Sequence, residues 1–362
     1  MKVLILANND VGLYKFRKEL LEELVKENKV YICLPNGEFV NDMLNMGVKF
    51  IPCELLDRHG INPFKELQLI SFYKKILKEY KPDIVFTYTI KPNVYGGIAC
   101  IKYKIPYVVN ITGLGTAVEN DGIMQKITLT LYKVGLKSAQ KVFFQNIENQ
   151  NFMLSHNIIR GKYDLLPGSG VNLNQYNVME YPKGDTIDFV FIARVMKEKG
   201  IDQYLDAAKY IRKKYPNTRF HVCGACEQDY QDTLDKLTEQ GIIQYHGLVK
   251  DITAIYKISS CTIHPTYYPE GLSNVLLESC ACGRPIITTN RAGCREVVDD
   301  GINGFVVKEK DSQDLIEKIE KFLIQPYETR MNMGLAGRKK VEQEFSRQIV
   351  VDKYLREIKE SR

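Results

Sequence analysis

Short apolar runs alternate with longer stretches of helical periodicity along most of the chain. In the first half, six runs have the length expected of buried strands: Lys2–Ala7, Val30–Pro35, Lys49–Pro52, Asp83–Thr87, Tyr107–Asn110 and Lys141–Gln145. Between them, apolar residues recur at helical spacing in Leu13–Lys26, Phe64–Tyr80 and Met124–Leu136. This alternation is typical of βα units arranged around a parallel sheet.

The alternation is interrupted once and then begins again. Residues 161–186 are rich in glycine, proline and polar residues, a composition typical of a linker. The pattern then predicts strands at Asp188–Ala193, Arg219–Cys223, Ile242–Tyr245, Cys261–His264 and Pro285–Thr288. It predicts helices at Ile201–Lys214, at Tyr230–Gln240, from near Ser273 and from Asp311 onward.

The restart indicates two doubly wound, Rossmann-like α/β domains facing across a cleft, with the ligand site in that cleft. We predict an N-terminal domain over residues 1–166, a linker over 167–186 and a second domain over 187–345. A C-terminal helix over 346–362 is expected to pack back toward the N-terminal domain.

The most informative string for chemistry is Pro269-Glu-Gly-Leu-Ser-Asn-Val-Leu-Leu-Glu278. Gly271 allows a tight turn, and Ser273 or Asn274 can cap the helix that follows. The amides of residues 271–274 would then point out of the helix start, where the helix dipole also favours an anion. The string therefore predicts an anion site suited to a diphosphate.

Glu270 and Glu278 frame this string. A carboxylate next to a diphosphate makes sense when it accepts hydrogen bonds from hydroxyl groups, which sugars and ribose supply in number. Taken singly, Glu270 is better explained as an ordinary turn residue and Glu278 as a solvated helix residue. The string as a whole favours a functional site.

A second string, Phe191-Ile-Ala-Arg-Val-Met-Lys-Glu-Lys-Gly200, places two cations after a buried strand. Open parallel sheets bind ligands at the carboxyl ends of their strands. There, Arg194 can bind phosphate through its planar fork and Lys199 can add a point charge. Taken alone, the pair is equally compatible with a surface arginine and a helix-start lysine in a basic patch. The chain contains no Asp-x-Asp pair to hold a metal–diphosphate bridge. We therefore expect these cations to replace a metal ion, with no metal or other cofactor required.

The N-terminal half carries weaker signals. Gly12 lies in a strand–loop–helix segment where an amide could approach a phosphate, although taken alone the segment is better explained as a plain helix-start loop. Lys91 and Thr112 follow two predicted strands, within Thr87–Asn93 and Asn110–Thr116, and could meet an acceptor hydroxyl or phosphate. Ordinary loop chemistry explains both nearly as well.

Histidines and cysteines do not form a convincing catalytic or metal site. His59, His156 and His264 lack a nucleophile or carboxylate partner in the pattern, so we interpret them as structural. Cys223 and Cys226 beside His221 resemble half of a zinc site without a second pair of ligands. Nine scattered cysteines and no apparent secretion signal favour a disulfide-free protein of the cytoplasm.

Charge is distributed unevenly. Residues 1–180 carry 22 Lys/Arg against 17 Asp/Glu, whereas residues 181–362 carry 28 against 27. A mildly basic N-terminal half suits phosphates or an anionic membrane, although a chance imbalance is about as compatible. No dense basic run with interleaved aromatics indicates nucleic-acid binding.

The two strings together resemble the retaining glycosyltransferase family 4 of the GT-B fold. The Glu-x7-Glu spacing of Glu270 and Glu278, the Arg194/Lys199 pair and the Gly12 loop match that family over essentially the whole chain. The N-terminal stretches resemble bacterial members that build capsule, O-antigen or polyprenyl-diphosphate-linked oligosaccharides. One departure is that Thr112-Gly-Leu-Gly115 stands where many members have a histidine.

The resemblance implies a role for each matching residue. Glu270 would contact the hydroxyls of the donor sugar, Glu278 the ribose, and Arg194 and Lys199 the distal phosphate. The same phosphate would be bound by the amides of Leu272, Ser273 and Asn274, and the base, expected to be uracil, by the loops at Gly224 and Val249. The implied activity is transfer from a UDP-sugar to a glycan or polyprenyl-diphosphate-linked acceptor, with retention of anomeric configuration.

Two other functions remain open at this point. A nucleotide-sugar 2-epimerase of the same fold would use carboxylates and histidines for proton transfer, without a second substrate. A catalytically inactive nucleotide-sugar-binding subunit is disfavoured because Arg194, Lys199, Glu270 and Glu278 are all present.

Overall fold

The computed structural model describes residues 1–56, 62–114, 118 and 122–361, which group into two compact units. The first unit contains Met1–Gly170, Pro269–Gly271 and Arg347–Arg362. The second contains Val171–Tyr268 and Leu272–Ser346. The Glu-x7-Glu string is therefore divided, with Glu270 and Gly271 in the first unit.

The first unit is built on a seven-stranded parallel sheet with the strand order β3-β2-β1-β4-β5-β6-β7. The strand order reverses between β1 and β4, which is the position where open α/β sheets bind ligands. The strands are β1 (Lys2–Leu6), β2 (Lys29–Leu34), β3 (Lys49–Pro52), β4 (Ile84–Tyr88), β5 (Tyr107–Ile111), β6 (Lys141–Phe144) and β7 (Lys162–Leu165).

Helices cover both faces of this sheet, as the continuously apolar central strands require. One face packs against α1 (Asp10–Glu27), α2 (Val40–Asn45) and the C-terminal helix, named α13 below. The other packs against α3 (Pro63–Tyr80), a π-helical turn (Pro92–Gly96), α4 (Gly97–Tyr103), α5 (Ile123–Gly135) and α6 (Ile147–Ser155).

The second unit repeats this plan on a six-stranded parallel sheet with the order β10-β9-β8-β11-β12-β13. Here the order reverses between β8 and β11. The strands are β8 (Ile187–Ile192), β9 (Thr218–Cys223), β10 (Gln244–Tyr245), β11 (Cys261–His264), β12 (Ile286–Thr289) and β13 (Gly304–Val307). A 3₁₀ turn (Lys197–Lys199) precedes α7 (Ile201–Lys214), and α8 (Gln231–Glu239), α9 (Thr253–Ile258), α10 (Asn274–Ala281), α11 (Ser312–Leu323) and α12 (Tyr327–Glu344) follow.

The C-terminal helix α13 (Arg347–Glu360) belongs to the first unit. Val350, Val351 and Tyr354 are buried in the core of that unit. The Tyr354 hydroxyl accepts a hydrogen bond from Asn110 Nδ2 (2.7 Å), and the Arg347 guanidinium donates to the carbonyl of Gly170. The helix therefore contributes both apolar contacts and buried hydrogen bonds to the first unit.

The predicted fold class, two Rossmann-like α/β domains, is confirmed, with differences in single elements. Helix α1 begins at Asp10 rather than Leu13, because the Asn9 side chain caps it. Strand β7 lies in the stretch whose composition predicts a linker. Its sequence is polar, and it forms a strand because it pairs with β6. Strand β13 was not predicted. Among the described helices, none has both the length and the apolar character needed to cross a bilayer.

Candidate active site

Two cations lie over one aromatic ring beyond the carboxyl end of β8. The Arg194 guanidinium carbon lies 5.6 Å from the centroid of the Tyr268 ring, and Lys199 Nζ lies 4.8 Å from it. Two hydrogen bonds fix the backbone of Tyr268. Its amide donates to Thr266 Oγ1 (3.1 Å), and its carbonyl accepts from Arg291 Nε (3.0 Å). The ring attracts both cations and so favours their proximity before any anion binds.

Gly200 ends the 3₁₀ turn that carries Lys199. Its φ is +78°, in the left-handed region that favours glycine. A Cβ at this position would lie within 3.0 Å of the backbone of Pro265, directly after β11. The glycine therefore allows the Lys199 turn to approach the end of β11, at the reversal of strand order in the second sheet.

Arg194 has a carboxylate partner. Its NH1 group donates to Glu227 Oε2 over 2.6 Å, and about a third of each side chain or more is exposed. Exposed ion pairs of this kind contribute little free energy, about 0–1 kcal/mol. A diphosphate carries more negative charge than the Glu227 carboxylate. It could therefore replace that carboxylate at Arg194 at a small cost in free energy.

The loops at Gly224 and Val249, which are predicted to hold the base, pack closely against residues of β8 and the segment that follows it. Gly224 has φ +150°, and an added Cβ would overlap the carbonyl of Ala193. Its amide donates to Gly247 O (2.7 Å), which joins the loops after β9 and β10. Val249 is half-buried against Val190 and Cys223. Both predicted positions thus lie close to the carboxyl end of β8.

Helix α10 begins as predicted near Ser273, but its amides are not all available. Ser273 occupies the N-cap position without a side-chain capping bond, and its own amide donates to Gly293 O (2.7 Å). The prediction of a free Ser273 amide is therefore wrong, because a carbonyl 20 residues away satisfies it. Leu272 is buried, and Asn274 begins the helix, where amides have no intrahelical acceptor. The Asn274 side-chain oxygen is buried and has no hydrogen-bond partner among the residues that the structure describes.

Glu278 lies on the same helix beside a buried tyrosine. The hydroxyl of Tyr256 lies within hydrogen-bonding distance of Glu278 Oε2 (3.3 Å) and Val275 O (3.2 Å). Burial, and then the charge of Glu278, raise the pKa of Tyr256 well above its usual value. The hydroxyl therefore stays protonated and can orient the Glu278 carboxylate by donating to it.

Glu270 and Gly271 are held by a residue that the sequence analysis missed. Asn146 Nδ2 donates to the carbonyls of Glu270 (3.1 Å) and Gly271 (2.7 Å), while its oxygen caps α6 by accepting from the Asn149 amide (2.8 Å). Asn146 is almost fully buried. A usable signal was present, since Asn146 follows the β6 strand just as the segments singled out at Lys91 and Thr112 follow β4 and β5.

The structure requires glycine at position 271 for space. Its φ is not in the left-handed region, so the backbone conformation alone would admit other residues. An added Cβ would lie within 3.0 Å of Thr112 O and Gln145 Oε1, closer than real Cβ atoms approach. The half-buried Thr112 thus contributes its backbone carbonyl to the packing of the Glu270 segment.

We predict that Gly271→Ala lowers kcat by at least about tenfold, because the new methyl group must displace the Glu270 carboxylate segment, and misplacements of about 1 Å are costly in active sites. Steady-state transfer assays with melting curves measure this. Gly301→Ala is the control, since its φ of +78° gives strain but an added Cβ there meets nothing. Equal rates in wild type and Gly271→Ala would contradict the assignment.

The remaining N-terminal candidates have internal partners. The Gly12 amide donates to Asn9 Oδ1 (2.6 Å) inside the first turn of α1, so the prediction of an available amide there is wrong. Lys91 Nζ lies 2.7 Å from Glu66 Oε1, and both side chains are largely buried. His59, Gly115 and Thr116 lie outside the described residues.

The cysteine and histidine side chains considered for metal binding have other contacts. Cys226 Sγ donates to Gln228 O (3.0 Å), and Cys223 is buried. His221 contacts Asp188 Oδ1 through Nε2 (2.8 Å) and His246 Nε2 through Nδ1 (3.0 Å). Within the described parts of the chain, no three His, Cys, Asp or Glu side chains are grouped as a metal site.

Comparison with known proteins gives the family. The model for glycosyl transferases group 1 matches residues 179–340, and the model for glycosyl transferase 4-like proteins matches residues 2–146. The chain is 31% identical over 301 residues to the putative glycosyltransferase EpsD of Bacillus subtilis, covering 77% of each chain.

A longer match covers 374 residues at 25% identity and 98% of each chain. It is to the N,N'-diacetylbacillosaminyl-diphospho-undecaprenol alpha-1,3-N-acetylgalactosaminyltransferase of Campylobacter jejuni. Among solved structures, Anabaena HepE in complex with UDP-glucose superimposes with a TM-score of 0.80 at 18% identity, over all of both chains. EpsD and the Campylobacter jejuni relative are both named as glycosyltransferases, which favours a transferase over the 2-epimerase. The chain belongs to the group 1, family 4-like glycosyltransferases.

Proposed function

We propose that this enzyme transfers a sugar from a UDP-sugar, with retention of configuration and without a metal ion, to a polyprenyl-diphosphate-linked glycan. The observation that carries the proposal is the pair of cations, Arg194 and Lys199, over the Tyr268 ring at the reversal of strand order in the second sheet. Two fixed positive charges at this point suit the negative charge that develops on a leaving nucleoside diphosphate.

The donor is assigned to the second unit by its chemistry. Arg194 and Lys199 bind the distal phosphate, together with the amide of Asn274 at the start of α10. Glu278, oriented by Tyr256, accepts hydrogen bonds from the ribose hydroxyls. The backbone around Gly224 and Val249 contacts the base. The HepE complex with UDP-glucose supports a UDP-sugar as donor.

The sugar and the reaction involve Glu270. Its carboxylate accepts hydrogen bonds from donor-sugar hydroxyls, and its segment is fixed by Asn146. In a front-face substitution, the acceptor hydroxyl attacks the anomeric carbon on the side from which the diphosphate leaves. The bond to the phosphate oxygen breaks, and that oxygen takes the acceptor's proton. The proposed reaction therefore needs no separate base.

The acceptor is assigned by the named relatives. The Campylobacter jejuni enzyme acts on an undecaprenol-linked diphosphosugar. An Escherichia coli relative, 26% identical over 313 residues, is named a UDP-Gal:alpha-D-GlcNAc-diphosphoundecaprenol alpha-1,3-galactosyltransferase. An acceptor of this class resides in a membrane, so the proposal includes contact of the enzyme with the inner face of the cell membrane.

We expect transfer from a UDP-sugar to a short-chain prenyl-diphosphate-sugar to proceed at an unchanged rate in excess EDTA, because protein cations take the place of Mg²⁺. Product formation is followed by mass spectrometry, across a panel of UDP-sugars chosen by their protection against heat unfolding. Inverted anomeric configuration in the product, or loss of activity that Mg²⁺ or Mn²⁺ restores, would refute this mechanism.

A further inference from the structure

Helix α5 is apolar on two sides. Leu129 and Tyr132 are buried in the core of the first unit, as expected for an amphipathic helix. However, Ile123, Ile127 and Val134 are 78%, 48% and 50% exposed. At 100° per residue these three positions fall within a stripe about 40° wide. A surface helix that needed only to cover the sheet would have polar residues along this stripe.

Helix α3 exposes a second pair of large apolar side chains at its start. Phe64 is 79% exposed and Leu67 is 62% exposed, and their i, i+3 spacing places them on one side of the helix. Both α3 and α5 pack against the segment formed by the π-helical turn and α4, on the same face of the sheet. Both helices run from the carboxyl edge of that parallel sheet toward its amino edge, so Phe64, Leu67, Ile123 and Ile127 near their starts lie toward the carboxyl edge. Val134 extends the α5 stripe to the other end of that helix.

The charge beside these side chains has a single sign along α5. Residues 123–137 contain three lysines, Lys126, Lys133 and Lys137, and no Asp or Glu. All three lysines are exposed. Two copies of this surface would repel one another, whereas anionic lipid headgroups attract it, at about 1 kcal/mol per basic residue. Exposed apolar side chains bordered by lysines are the pattern of segments that lie in a membrane interface.

We propose that Phe64, Leu67, Ile123, Ile127 and Val134, with Lys126 and Lys133, form a membrane-docking surface that binds bilayers containing anionic lipid. The apolar side chains enter the interface while the lysines contact the headgroups. The biological meaning of this surface rests on the proposed membrane-bound acceptor, but vesicle binding is tested without donor, acceptor or catalysis.

The natural absence of tryptophan provides a direct test. Ile123→Trp and Phe64→Trp each create the single tryptophan of the full-length chain, whose emission reports local polarity. With vesicles of phosphatidylcholine and phosphatidylglycerol, we expect a blue shift in both variants, and a smaller effect with phosphatidylcholine alone. Ile324→Trp is the matched control, because Ile324 is 72% exposed but lies in the second unit; its emission should not change.

Replacements of the surface give the size of the effect. Ile123→Ser with Ile127→Ser should weaken partitioning into anionic vesicles by about tenfold or more. The reason is that each isoleucine side chain that enters the membrane interface contributes favourable free energy of transfer out of water. Lys126→Gln with Lys133→Gln should weaken it by about thirtyfold on anionic vesicles only. All four side chains are exposed, so melting temperatures should be retained.

Three outcomes would overturn the docking surface: no cosedimentation with anionic vesicles at low salt, binding with unchanged emission of the two surface tryptophans, or a dimer that Ile123→Ser dissociates. The last would assign the surface to a second copy. Transfer to a water-soluble short-chain acceptor separates this failure from failure of the proposed function. The surface replacements should leave that rate unchanged.

Discussion

Lys199→Ala is expected to lower kcat by about two to three orders of magnitude while the protein remains folded. Removal of one well-placed group that stabilises developing negative charge costs an enzyme about this much. Lys199 is only half-buried in a short turn, and its observed ring contact is with Tyr268. Its removal should therefore affect the leaving diphosphate much more than the stability of the second unit.

Lys197→Ala provides the control, since Lys197 lies two residues earlier in the same 3₁₀ turn and is exposed. It removes the same charge from the same surface, so a general electrostatic effect would appear in both variants. Steady-state kinetics with the UDP-sugar identified in the screen provide the measurement. Similar kcat values for Lys199→Ala and the wild type would remove Lys199 from the catalytic machinery.

Arg284→Met is expected to destabilise the second unit by about 3–5 kcal/mol, because it removes a buried charge that satisfies several carbonyls. Arg284 is completely buried and donates to the carbonyls of Tyr256 (2.8 Å), Glu180 (2.8 Å) and Met179 (3.1 Å). Burial lowers the pKa of its guanidinium. Methionine fills similar volume but leaves those carbonyls without a donor.

Thermal and urea unfolding, followed by circular dichroism, measure this loss. Arg356→Met is the control because Arg356 is exposed on α13, and its replacement should change stability by no more than about 0.5 kcal/mol. A loss below about 1 kcal/mol in Arg284→Met would show that water or local rearrangement can replace the guanidinium.

The sequence was sufficient for the fold class because buried strands and amphipathic helices leave periodic patterns. It also indicated that Arg194 and Lys199 lie near the carboxyl end of β8, since both follow a strongly apolar strand; their role in the reaction stays a prediction. It failed where hydrogen bonds join distant segments. Nothing near Ser273 indicates that the carbonyl of Gly293 accepts from its amide.

Asn146 and Gly271 also depend on contacts between segments that are distant in the sequence. The position of Asn146 after β6 was a usable signal, but its partners lie 124 and 125 positions away, so the contacts themselves become visible only in the folded first unit. The sequence predicted a turn at Gly271 but not the lack of space around it, because that space depends on neighbours such as Thr112 that no local pattern identifies. Arg284 likewise donates to carbonyls, those of Met179 and Glu180, that no local pattern identifies.

A crystal structure of the enzyme with UDP, grown in the presence of EDTA, tests the central claim most directly. We predict that oxygens of the distal phosphate lie within about 3.2 Å of Lys199 Nζ and the Arg194 guanidinium, with no cation bridging the two phosphates. A diphosphate bound away from both side chains, or bound only after a divalent metal is restored, would contradict the account.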